Sequence, residues 1–179
     1  MKLAGLEFVE YDEDRHQTKY MDMVEEYSKN LDDEVFSHYS VRLIQYGEIR
    51  SLTEKYVPIW ASVKPPEGII YMMEYENEIV GTGRLDTFSE GIGEVHTIWT
   101  SPKHRGKGFA TRLMKRLEDT AKGFGLTSIR LDTAKFNLPA INLYKKIGYK
   151  EISRYRDGVF DNEILRRYYE EKVYMEKQL

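Results

Sequence analysis

Cysteine is absent from the 179 residues, which removes disulfides, thiol nucleophiles and cysteine-based zinc or iron–sulfur sites. No stretch approaches the roughly 18 consecutive apolar residues that a membrane span requires. The first ten residues turn acidic at once and contain no apolar signal core, so a cytoplasmic protein is expected, with no membrane partner. A large excess of basic charge is also missing. Counts of 27 Lys+Arg against 30 Asp+Glu leave a net charge of −3, which argues against a general nucleic-acid binder. What is present, 41% hydrophobic and 32% charged residues, matches a soluble globular protein. The length predicts one domain over residues 1–179, large enough to bury a core without covalent staples.

Charge is unevenly spread. Residues 1–40 hold 11 acids and 4 basic residues, a local −7, whereas residues 101–122 hold 7 basic residues and 2 acids, a local +5. Solvated helix faces are one explanation. An anion site in mid-chain, facing an acidic N-terminal region, is the sharper one.

The periodicity of apolar residues sets the expected elements. A short strand over residues 6–11 leads into a helix marked by Met21, Val24, Tyr27, Ser28 and Leu31. A second helix is expected over 41–56, its end softened by Pro58, with Lys64-Pro65-Pro66-Glu67-Gly68 as a break. Residues 69–75 and 78–88 read as a hairpin turning at Glu76-Asn77, and 94–100 as a third strand. After the breaker 101–108, Ala110, Leu113, Met114, Leu117 and Ala121 form a core-facing helical stripe, stopped by Gly123 and Gly125. A buried strand over 127–133 follows. Then comes a helix over 137–147, capped by Asn137, with Pro139 tolerated in its first turn. Closing strands over 149–155 and 172–176 are joined by a charged segment. Helices first, then β-β-β-α-β-α-β-β, make a mixed α/β sheet.

The most informative piece is the strand-to-helix junction Arg105-Gly106-Lys107-Gly108-Phe109-Ala110. Glycines there let a ligand approach the backbone, and the first-turn amides of the next helix carry the positive end of its dipole. A phosphate or pyrophosphate is the natural occupant. Lys103, Arg105 and Lys107 add charge. A mononucleotide P-loop requires Gly-x4-Gly-Lys-Ser/Thr, which the chain lacks. A dinucleotide fingerprint fits Gly106-x-Gly108, with Asp132 near the end of the next strand, but Thr111 stands where its third glycine belongs.

The loop resembles the pyrophosphate loop of the GCN5-related N-acetyltransferases (GNAT), whose pattern is Arg/Gln-x-x-Gly-x-Gly/Ala. Ile98, Trp99 and Thr100, followed by Ser101-Pro102, match the strand end where family members bond the pantetheine arm through backbone groups. Asn137-x6-Tyr144 and Lys145-Lys146-Ile147-Gly148-Tyr149, with Ala140 and Leu143 between, match the Asn…Ala…Leu-Tyr-x-x-x-Gly-Phe segment. The likeness covers residues 68–150 firmly and the ends loosely.

The resemblance implies a GNAT fold, a mostly antiparallel mixed sheet of about six to seven strands flanked by about four helices. It also implies acetyl transfer from acetyl-CoA to an amine, without a metal. Ile98, Trp99, Thr100, Arg105, Gly106, Lys107, Gly108, Phe109, Ala110 and Asn137 would then hold acetyl-CoA. Tyr144, two turns from Asn137 on one helix face, would donate a proton to the leaving thiolate; packing against the sheet is the structural alternative. Glu94 is the candidate base, with His96 on the same strand face as a second candidate, and Asp132 suits a structural hydrogen bond. His16 and His38 show no metal-ligand spacing.

Asp32-Asp33-Glu34 looks like the connection between the first two helices, where the family's acceptor cleft usually lies. An acidic rim there would favour a cationic amine. The acceptor is otherwise unidentified, and a homodimer is left open. A CoA-binding sensor without turnover and a nicotinamide-dependent oxidoreductase are the rival functions.

Overall fold

In the computed structural model, which describes residues 5–44, 48–155 and 163–179, seven strands form one sheet. Chain order is β1 (Glu7–Glu10), α1 (Glu13–Tyr39), α2 (Glu48–Ala61), β2 (Gly68–Tyr75), β3 (Glu78–Ser89), β4 (Ile92–Thr100), α3 (Phe109–Gly123), β5 (Ser128–Ala134), α4 (Leu138–Lys146), β6 (Lys150–Ile152), α5 (Glu163–Glu170) and β7 (Lys172–Gln178). The sheet runs β1-β2-β3-β4-β5-β7-β6. Every neighbouring pair is antiparallel except β4–β5.

Strand alternation divides the core. On β2, Ile69, Tyr71 and Met73 pack with Leu113, Met114, Leu117 and Phe109 of α3. The intervening Ile70 and Met72 pack on the opposite face with Tyr20, Met23 and Val24 of α1 and Val57 of α2. Both faces of β2 are therefore covered, which is why its sequence is a nearly continuous apolar run. Of the expected stripe of α3, Leu113, Met114, Leu117 and Ala121 are buried while Ala110 is partly exposed, and Glu76-Asn77 makes the hairpin turn with both residues at positive φ.

The first third departs from expectation. The helix α1 is 27 residues long, started by Asp12, whose side chain accepts from Arg15 N. It runs through the acidic triplet and stops at Ser40, which is left-handed (φ 57°). Asp32-Asp33-Glu34 thus lies inside a helix, not in a connection. The Asp32 carboxylate is buried, pairs with Arg42 at 2.7 Å and accepts from Leu43 N at 2.6 Å and Ile44 N at 3.3 Å. Those side-chain bonds take up the amides a helix would have used, so residues 41–44 are not helical. Residues 45–47 lie outside the described residues.

The second helix begins at Glu48 and passes through Pro58 to Ala61. Proline inside a helix costs about 3 kcal/mol. Burial of Val57 and partial burial of Trp60 and Ala61 against α1 offset it, at roughly 1.5–3 kcal/mol for a fully buried large apolar side chain. The closing strand β6 is shorter than expected, and part of the charged segment before β7 is the helix α5. Residues 156–162 of that segment lie outside the described residues.

Candidate active site

The one parallel pair opens the site. β4 and β5 are registered only from Ile92↔Ser128 to Glu94↔Arg130 and then part. Just beyond, β4 bulges: Arg84 pairs with His96 and Thr82 with Trp99, so Gly83 alone faces Thr97 and Ile98. Thr97 takes a left-handed φ of 51°, which costs a β-branched residue about 1–2 kcal/mol. Around the bulge four successive residues, Val95, His96, Thr97 and Ile98, line one cleft, where regular alternation would present every second one. The cleft measures about 350 Å³. Opposite β4 it is lined by Leu131, Asp132 and Thr133 of β5 and by Asn137, Ala140 and Tyr144 around α4. Tyr27, Trp60, Arg84, Tyr169 and Lys172 complete the wall.

Tyr144 is buried and tilted against Tyr149. Burial holds its phenol well above the ordinary range, with Tyr27 and Asp132 adding in the same direction. Tyr27, on the same wall, is likewise pushed up to about 12, chiefly by burial and then by Asp132. Both phenols are therefore neutral donors at physiological pH. Asn137 does cap α4: its Oδ1 accepts from Ala140 N at 3.4 Å while Nδ2 donates to Thr133 Oγ1 at 3.4 Å. It lines the cleft as well, so the cap does not remove it from the cleft wall.

Glu94 and His96 share a strand face as expected, but they stand at different depths. Glu94 is 3% exposed and is not among the cleft-lining residues described. Its Oε1 accepts from Tyr155 OH at 2.6 Å and its Oε2 lies 3.5 Å from His96 Nε2. His96 reaches the cleft, with Asp86 Oδ2 also 3.5 Å from the same nitrogen. Asp132 forms a buried ion pair with Lys172 at 2.6 Å, and the Lys172 ammonium sits 4.2 Å from the Tyr169 ring centre. The expected structural role of Asp132 is thus electrostatic, and it faces the cleft.

The glycine loop lies between β4 and α3. Gly106 (φ 75°) and Gly108 (φ 81°) are both left-handed, and a Cβ added at either would meet nothing within 4 Å. Gly108 immediately precedes α3, and no side chain caps the helix there. Open space over the backbone and uncapped amides suit a pyrophosphate. Arg105 Nε donates to Thr100 O at 3.2 Å, tying the loop back to β4. Thr100 Oγ1 is buried without a partner among the described residues.

Trp99 and Phe109, both expected at the cofactor, turn their side chains into the core. Phe109 packs on Tyr75 with ring centres 5.1 Å apart. Only their main-chain groups are placed to serve a ligand. Ala110 is partly exposed in the first turn of α3, and Lys107 Nζ lies 6.0 Å from the Tyr75 ring centre. The histidines outside the cleft make local contacts: His16 Nδ1 accepts from Asp12 N, His38 stacks on Phe136 and His104 stacks on Phe109. Among the described residues no group of three His, Cys, Asp or Glu could hold a metal, and no helix is long and apolar enough to cross a membrane.

Residues 20–149 match the family model described as acetyltransferase (GNAT) family. The chain belongs to the GNAT family. Three relatives show the extent of the likeness. The uncharacterized N-acetyltransferase YobR of Bacillus subtilis is 32% identical over 51% of this chain and 36% of its own length. An IAA acetyltransferase of Azospirillum brasilense is 35% identical over 41% and 48%, and a streptothricin acetyltransferase of Escherichia coli 36% identical over 41% and 42%. The chain therefore spans less than half the length of each of these relatives. Among solved structures, the PaiA N-acetyltransferase of Thermoplasma acidophilum in complex with coenzyme A superposes with a TM-score of 0.69 over 97% of this chain and 99% of that one, at 15% identity. An acetyltransferase from Streptococcus agalactiae gives 0.66 over 99% and 100%, at 19% identity. Both likenesses concern the fold. The mostly antiparallel seven-stranded sheet with its helices is the GNAT architecture that the resemblance implied.

Proposed function

We propose that this GNAT chain, read as one domain over residues 1–179, is an N-acetyltransferase that moves an acetyl group from acetyl-CoA to an amine. The observation that carries the reading is the β4–β5 cleft, in which Ile98, Asn137 and Tyr144 meet, on a strand whose end, at Thr100, is bonded to a glycine loop with open space over its backbone. Acetyl-CoA supplies a thioester carbonyl as electrophile. Gly106, Gly108 and the first-turn amides of α3 hold the pyrophosphate, with Arg105 and Lys107 adding charge. Main-chain groups of Ile98, Trp99 and Thr100, on the edge of β4 that has left β5, hold the extended arm. Asn137 assists from the opposite wall.

His96 accepts the proton that the attacking amine must lose, and Glu94, behind it, stabilises the charge that results. The base function is then shared by the pair, and the exposure of His96 to the cleft supports its taking the proton directly. Tyr144 donates to the departing sulfur, and its raised pKa keeps that proton in place. The new N–C bond forms as the C–S bond breaks, one proton passing to His96 and one leaving Tyr144.

Thermal unfolding with acetyl-CoA, CoA and NADH in parallel tests the ligand. A ligand at ~100 times its dissociation constant adds about 2.7 kcal/mol. Stabilisation by NADH instead of acetyl-CoA would overturn the reading. Release of CoA in the presence of an amine panel tests turnover; binding without release with any amine would identify a CoA-binding sensor.

A further inference from the structure

Resting on the acetyltransferase reading above, we propose that the acceptor is an α-amino acid, its carboxylate held by Arg84 while its amine faces His96. Arg84 is the anomaly of β3. Its neighbours Val80, Thr82 and Leu85 are fully buried, yet a guanidinium follows Gly83 and lines the cleft with a side chain only 12% exposed. A charge that is largely desolvated requires partners. Among the described residues one carboxylate, Asp86, lies within ion-pair distance, at 2.8 Å from one terminal nitrogen. The buried Nε has no partner. A guanidinium carries five donors in a planar fork, a shape suited to a second carboxylate.

The other charges of the cleft are already matched. Lys172 is paired with Asp132 at 2.6 Å, so the cationic donor capacity of the wall is concentrated at Arg84. Two members of the acidic triplet of α1, Asp32 and Asp33, are engaged by Arg42. Asp86 acts as an orienting group: it grips Arg84 from outside the cleft lining and approaches His96 Nε2 at 3.5 Å.

Register supplies the spacing. Arg84 and His96 are directly opposed on β3 and β4, which puts their Cβ atoms about 5 Å apart on one face. Asp86 Oδ2 already bridges the two side chains away from the cleft, at 2.8 Å from Arg84 and 3.5 Å from His96, so an amine and a carboxylate borne on a single carbon would reach both from the cleft side; a long diamine does not use both. Trp60, whose ring centre lies 5.6 Å from the Arg84 guanidinium carbon, and Tyr27 form an aromatic wall that suits an uncharged side chain.

The test compares kcat/KM, by CoA release from acetyl-CoA, for glycine, alanine, valine, leucine, phenylalanine and tryptophan, each beside its carboxamide, with spermidine as cationic control. The best amino acid is expected to exceed its amide by about tenfold or more. The amide's amine is less basic and thus more deprotonated at neutral pH, so that bias runs against the proposal. In Arg84→Gln the ratio should fall to within about threefold, chiefly through KM for the acid, with Arg84→Lys intermediate because it keeps the charge and loses the fork. Should Arg84→Gln not fold, Arg84→Lys and the wild-type ratios still decide. Acid and amide turned over alike, or spermidine preferred, would overturn the amino-acid assignment and leave acetyl transfer standing. Absence of CoA release with every amine would instead defeat the acetyltransferase reading.

Discussion

Gly108→Asp separates ligand binding from folding at the glycine loop. Its fold cost should be small, no more than about 1–2 kcal/mol. A Cβ at position 108 meets no heavy atom within 4 Å, so the only penalty is the left-handed backbone at φ 81°, about 1–2 kcal/mol and smallest for Asp and Asn. A carboxylate beside the first turn of α3 returns about 0.3–1 kcal/mol through the helix dipole. Against a pyrophosphate the same carboxylate repels. At a separation of ~5 Å and an effective dielectric of ~20, one pair of unit charges costs about 3 kcal/mol, reduced by salt and side-chain retreat. A loss of at least tenfold, about 1.4 kcal/mol, is therefore expected in acetyl-CoA affinity by calorimetric titration. Gly108→Ala, which adds the Cβ without the charge, divides steric from electrostatic effects, and only the Asp variant should recover affinity as salt rises. Unchanged affinity in a folded Asp variant would refute the anion-loop argument.

Three further outcomes follow from the same geometry. Tyr144→Phe keeps the ring and should leave acetyl-CoA affinity nearly unchanged while kcat falls roughly 10²-fold. Because burial raises the Tyr144 pKa, its donor form persists as pH rises, so an alkaline loss of wild-type kcat below the ordinary phenol value of about 10 would contradict its role. Asp32→Ala removes a buried acceptor that serves Arg42 and two backbone amides; urea unfolding should show a loss of about 2–3 kcal/mol, with the ratio of amino acid to amide turnover preserved. Lys172→Met leaves Asp132 buried without its ammonium and should cost about 3–5 kcal/mol in the same assay, part of it recovered when Asp132→Asn is added.

Much of the sheet was legible in the chain because its signals are local. The stripe of α3, the hairpin at Glu76-Asn77 and the glycine junction at 106–108 each depend on a few adjacent residues and on steric rules that hold anywhere. The resemblance carried by Asn137, Tyr144 and the loop likewise pointed to the right family, since each of the two motifs is a short stretch of the chain. The boundaries of the N-terminal helices were not readable, because they depend on partners far along the chain. Asp32 ends up buried by bonding Arg42 and residues 43–44, and α2 survives Pro58 only because Val57 and Trp60 are packed against α1 and the sheet.

The cleft belongs to tertiary structure. Period-two alternation placed Glu94 and His96 on one face, but depth is set by the neighbours. Tyr155 holds Glu94 behind His96, and around the bulge opposite Gly83 the successive residues Val95, His96, Thr97 and Ile98 line one wall. Arg84 gave one signal in the chain, a charge set in an apolar strand; its meaning came from the register that puts it across from His96. By itself the sequence determined most of the elements, the glycine junction at 106–108 and the family, since these rest on local backbone freedom and hydrophobic period. The three-dimensional arrangement alone decided which charges are matched and which face a ligand, because Coulomb pairing and desolvation act between residues the chain keeps far apart.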